Sequence, residues 1–214
     1  MIQPEIEVTI NRLNAADFDP DPIAGRHFSR IVSVMSSAYK RHGFILEMAV
    51  LNQLKKCPRF VVWNDPAFQV SANADLVANG SLSDPATIIG NQVNYGSGTR
   101  TLQVDVIVYD RETGTLRAYE IKRGNGYHDA GKRRSILRDI LCLNLLLKSY
   151  GEQRGMDVRQ AEAKAIFYYG KRSIPAPFSI IGAELDEHFQ WPVYGPVEEV
   201  NELFRRKLFD ILAT

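Results

Sequence analysis

Asp105, Glu120 and Lys122 are the residues of this chain whose types and spacing could do chemistry. They sit in two strand-like stretches, 102–109 and 115–122, on either side of the turn sequence Arg-Glu-Thr-Gly at 111–114. If that turn closes a hairpin with Asp110 opposite Thr115, counting outward sets Asp105 opposite Glu120 and Gln103 opposite Lys122. Alternation then gathers these four side chains on one face and Val104, Val106, Val108, Tyr119 and Ile121 on the other. Directly opposed residues carry Cβ atoms about 4.5–5.5 Å apart, where like charges repel. Two carboxylates held that close call for a cation, and a hard divalent ion with oxygen ligands, Mg²⁺ or Mn²⁺, suits them. The plainer alternative is a solvated face on which Asp105 pairs diagonally with Lys122, an ion pair worth about 0–1 kcal/mol.

A third acid, Glu47, lies in a helical stretch whose i−3, i+3, i+4 and i+7 neighbours are Phe44, Val50, Leu51 and Leu54. An acid in such a stripe either faces inward, where it needs a cation or donors, or reaches water from the stripe's edge. Positive charge is concentrated close by. Between Arg117 and Arg138 seven bases face only Glu120 and Asp129, in a chain whose net charge is +1. Arg123, Lys132, Arg133, Arg134 and Arg138 therefore form a candidate phosphate footprint, with a solvated helix face as the alternative. His128 lies within reach of the same region, and Asp129 reads as a helix N-cap.

The elements that must position these residues can be read in order. Residues 1–22, ending in DFDPDP, read as an irregular arm. A helix runs from about 26 to 56, with an interruption at Gly43, and RFVVW (59–63) is a short strand. The stretch 64–100, rich in Asn, Ser, Gly and Pro, reads as a long loop or insertion that hides a short strand at FQVSA. After the hairpin, a helix over 130–149 ends at Gly151, AKAIFYYG (163–170) is another strand, and Pro196 opens a last helix over 196–212. Phe167, Tyr168 and Tyr169 read as core strand. The expected architecture is α/β, a mixed sheet of about four or five strands flanked by helices.

Composition sets the bounds. At 214 residues, with 45% hydrophobic and 24% charged, the chain suits one domain over 1–214 with a sizeable core. No apolar run approaches the roughly 20 residues that span a bilayer, and the N-terminus lacks a signal-peptide pattern. Cys57 and Cys142 suggest neither a disulfide framework nor a thiolate zinc site, so a reducing cytoplasm is the expected location. No nucleotide-binding glycine loop and no nucleophile elbow is present.

Asp105, Glu120-Ile121-Lys122, the upstream helical Glu47 and the order helix, strand, two hairpin strands, helix, strand together resemble the PD-(D/E)XK nuclease superfamily, over roughly residues 40–170. Val104 stands where that motif has Pro. The resemblance implies a restriction-endonuclease-like core and a Mg²⁺-dependent endonuclease acting on DNA. In that scheme Asp105, Glu120 and the Ile121 carbonyl hold the metal. Lys122 attends the water and phosphate, Gln103 orients Lys122, and Glu47 holds a second metal or a water. Two other classes stay open: a module on the same fold that binds nucleic acid without cutting, and a partner-binding protein whose acids are solvated. Cutting both strands would call for two sites, as in a homodimer.

Overall fold

In the computed structural model, which describes residues 2–213, the turn at 111–114 closes the hairpin that its sequence predicts. Gly114 allows it: φ is 68°, and a Cβ there would lie 2.9 Å from the Arg159 side chain. In chain order the elements are α1 (Gln3–Ala15), α2 (Gly25–Leu54), β1 (Phe60–Val70), α3 (Ala72–Gly80), β2 (Arg100–Asp110) and β3 (Thr115–Lys122). They continue with α4 (Ala130–Glu152), β4 (Gln160–Phe167), β5 (Ser179–Ile181), α5 (Leu185–Phe189) and α6 (Tyr194–Leu212).

The protein is α/β, with a five-stranded mixed sheet in the order β1-β2-β3-β4-β5 flanked by helices. β1, β2 and β3 are antiparallel neighbours, whereas β4 and β5 join in parallel. A parallel neighbour needs a long crossover, and α4 supplies it between β3 and β4. One sheet face packs on α4 and α3, with Ile107, Leu116, Ala118, Ala165 and Phe167 against Leu141 and Leu145. The other packs on α2 and α6, with Val106, Val108, Tyr119, Ile121 and Ile166 against Val50, Leu54 and Val197. The helix, strand, hairpin, helix, strand order is present, with α3 inserted after β1.

Four expectations are corrected. The arm at 1–22 contains α1, whose Ile6, Ile10 and Leu13 pack with Val34 and Ile45 of α2 and Phe204 of α6. α2 runs through Gly43 without a break, because flanking residues such as Ile45 and Leu46 are buried and hold the turn. Much of 64–100 is regular. β1 continues to Val70, Ser71 accepts from the Ala74 N–H as the cap of α3, and the small Ala74 and Ala78 let that helix sit close to α4. Gly151 does not end α4 but lies inside it, where a Cβ would strike Leu116 and Val158 at 2.6 Å. Among the described residues no helix is long and apolar enough to cross a membrane, and both cysteines are buried free thiols.

Candidate active site

The sheet forks at the far end of the hairpin. β3 stays on β4 through Lys122 opposite Phe167, while the ladder between β2 and β3 stops at Val106 opposite Tyr119. From there β2 follows β1, down to Arg100 opposite Val70. Between Trp63 opposite Ile107 and Asp65 opposite Val104, β2 carries one residue more than β1, a bulge at Asp105–Val106. The bulge corrects the expected faces. Val106 and Val108 pack toward α2, but Val104 joins the α4 side.

Asp105 lies in the fork and is only 8% exposed. It does not stand in a ladder position opposite Glu120. Its side chain reaches across the gap instead: the Ile121 N–H donates to Oδ2 at 2.7 Å, and Gln103 Nε2 donates to Oδ1 at 3.4 Å. Gln103 thus orients Asp105 rather than Lys122, because the splayed strands remove the position facing Lys122. The Lys122 carbonyl accepts from the Tyr168 N–H on the β4 side (2.9 Å). Strand alternation then turns the N–H and C=O of Ile121 toward β2, into the fork.

Lys122 makes a direct ion pair with Glu120, and Glu47 of α2 completes a group of three acids and one base within electrostatic reach. Burial, then the Glu120 charge, pushes the Asp105 carboxyl up to about 6, against the Ile121 N–H and Lys122. Burial, then Asp105, pushes Glu47 up to about 7, with Glu120 adding and Lys122 opposing. For Lys122 burial favours the neutral amine, but Glu120, Asp105 and Glu47 outweigh it and raise its pKa. The stripe around Glu47 is buried at Val50 and Leu54, whereas Phe44 points out to solvent.

Among the described residues no three His, Cys, Asp or Glu side chains form a ready-made metal cage. The fork offers two carboxylates that repel one another and a carbonyl on the same strand edge, an all-oxygen set. That set fits an ion which keeps several of its waters, as Mg²⁺ does.

The basic residues separate into groups. Lys132, Arg133 and Arg134 are exposed on the first turn of α4, where Asp129 caps the helix by accepting from the Lys132 N–H at 2.9 Å. His128 is tied to Ser173, whose Oγ accepts from the His128 N–H at 3.1 Å and meets Nδ1 at 2.8 Å. Burial, then Lys122 and Lys132, lowers its pKa. Arg138 is not part of an open footprint: one turn further on it faces Asp139 (3.7 Å) and Asp75 (4.0 Å). Arg123 turns to the other side of β3, where its guanidinium lies 4.7 Å from the Tyr39 ring and 5.9 Å from that of Tyr169. Tyr39 and Tyr169 were not legible as site residues, and Tyr169 is 40% exposed rather than core. The available signal was weak: Tyr39 lies eight residues before Glu47 on α2, about 80° around the helix from it.

No family model, curated protein or solved structure matches the chain.

Proposed function

We propose that this protein is a metal-dependent endonuclease acting on DNA, built on a restriction-endonuclease-like core. The observation that carries the reading is the convergence of Asp105, Glu120, Lys122 and Glu47 at a fork where three acids share one lysine. A purely structural cluster would be expected to balance its buried charge.

Asp105, Glu120 and the Ile121 carbonyl would hold Mg²⁺, or Mn²⁺ in its place. When bound, such an ion polarises a scissile phosphate and acidifies a water. The Ile121 N–H and Gln103 fix the orientation of the Asp105 carboxylate before substrate arrives. Lys122, kept as an ammonium by the surrounding acids, offsets negative charge that develops on the phosphate oxygens. Burial and the Asp105 charge push Glu47 up to about 7, a range suited to a carboxylate that holds a water and exchanges a proton with it. Lys132, Arg133 and Arg134 bind phosphates without reading sequence.

The test is cleavage of supercoiled and linear DNA by the purified chain. Cutting should require Mg²⁺ or Mn²⁺, stop in EDTA, and be lost in Asp105→Asn, which should still melt cooperatively at or above the native temperature. Activity retained in that variant rejects the assignment. Salt-sensitive DNA binding with no cutting in either ion would instead favour the non-cutting module.

A further inference from the structure

On the other side of the β3 end from Lys122, α2 and α6 enclose a cavity of about 270 Å³ beneath Arg123. Its walls are aromatic. Tyr39 is 50% and Tyr169 40% exposed, and the buried His42 ring stacks on Tyr169 with centroids 6.1 Å apart and planes 19° from parallel. The His42 ring is fixed: Nε2 meets Asn201 Oδ1 at 3.1 Å, while Asn201 Nδ2 donates to Glu198 at 2.7 Å. Burial, then Arg123, lowers the His42 pKa.

The charges around the cavity narrow its ligand. Glu198 keeps its charge but its Oε1 is taken by the Tyr168 hydroxyl (2.7 Å) and Asn201, and Glu202 pairs with Arg205. Arg123 is different: its Nε is buried without a hydrogen-bond partner, and among the described residues its guanidinium is held only by the Tyr39 and Tyr169 rings, with no carboxylate within 4.0 Å of it. A half-buried guanidinium of this kind disfavours a cationic guest, the usual occupant of an aromatic cage. It favours an anion joined to a flat ring, which is the chemistry of a nucleotide.

Position adds the second argument. Lys122 and Arg123 are consecutive, so they project to opposite faces about 3.3 Å apart along the strand. A chain of phosphates crossing the end of β3 can meet Lys122 on one side and Arg123 on the other. α2 links the two places, since His42 precedes Glu47 by five residues, about 7.5 Å along the axis. The cavity is at the small end of ligand sites, large enough for one ring system and far too small for a base pair.

We propose that this cavity receives the unpaired base of a nucleotide next to the scissile phosphate, stacked on Tyr39 and Tyr169 where Arg123 now lies over the rings, with the guanidinium shifted onto its phosphate. The inference rests on the nuclease reading and deepens it: the substrate is DNA with a single-stranded segment at the cut, not continuous duplex.

Fluorescence anisotropy with Ca²⁺ in place of Mg²⁺ reads binding apart from cutting. The probes are a short labelled single strand, the same strand made abasic, and the matching duplex. The intact strand should bind about tenfold or more tightly than the abasic one. Tyr39→Ala and Tyr169→Ala should each remove about tenfold from the intact strand alone, while Tyr169→Phe, which keeps the ring, should bind as the native chain does. Equal affinity of the native chain for intact and abasic strands overturns the proposal, as does an alanine variant that weakens all three probes alike. If either variant fails to fold, the native comparison decides. Cutting that depends on Asp105 without any base preference sinks the cavity alone. A base preference without cutting in any divalent ion sinks the nuclease reading alone.

Discussion

The hairpin of β2 and β3 holds a buried aspartate at each end, and the two are treated oppositely. At the closed end Asp110 is 2% exposed and lies against two guanidiniums, Arg59 at 3.5 Å and Arg117 at 3.9 Å, while also accepting the Glu112 N–H at 3.1 Å. At the open end Asp105 has one backbone donor, one amide, and a lysine it must share with Glu120 and Glu47. The ladder is intact beside Asp110 and broken beside Asp105. Burial alone does not distinguish a structural acid from a chemical one. What differs is the balance of charge around the two, and the unbalanced site gains most when a cation arrives.

The largest expected effect is on turnover. Lys122→Ala should slow DNA cleavage by about 10²–10³-fold with the melt unchanged, read as initial rates in Mg²⁺. An unaffected rate would make Lys122 another structural counter-ion and erase the contrast. Asp110→Ala should do the reverse. It should cost about 2 kcal/mol, a fall in Tm of roughly 4–8 °C, since partly solvated guanidiniums soften the loss, and leave the rate per folded molecule alone.

A smaller effect concerns pH without metal. Folding raises the Asp105 and Glu47 carboxyls from ordinary values of 3.8 and 4.5 to about 6 and about 7. The stability they contribute is therefore whole below the ordinary values and is lost as pH rises through 6 and 7. In EDTA, Tm should fall over that window, and Asp105→Asn should raise it by about 2–4 °C near pH 8. Scanning calorimetry that finds no such slope would mean the fork is more solvated than its burial implies. The smallest effect is on salt dependence. Arg133→Ala should lower the slope of log affinity against log salt by about one, whereas Arg138→Ala, held by Asp139 and Asp75, should leave it unchanged.

These contrasts follow what was legible in the sequence. The hairpin register could be counted from its turn, because Gly114 and the pairing of Asp110 with Thr115 are local. Asp105, Glu120 and Glu47 stood out because acids interrupt apolar patterns, and Lys122 because it follows Glu120 by two residues on the same strand. The bulge at Asp105–Val106 did not, since it depends on how β1 pairs with β2 across more than thirty residues of intervening chain. α1 was obscured by the DFDPDP that follows it, although Ile6, Ile10 and Leu13 carry the helical spacing and find their partners only on distant α2 and α6. Gly151 resembled a helix stop, but its role is steric. Arg138 looked like its basic neighbours until Asp75 arrived from α3, and Tyr169 looked like core until the strand ended at Phe167.

α2 is a single rod of 30 residues, about 45 Å long, and Tyr39 and Glu47 are fixed to it two turns apart. Whatever tilts this lever moves the ring and the acid in concert, so a change at the Arg123 cavity would reach the fork through one rigid element.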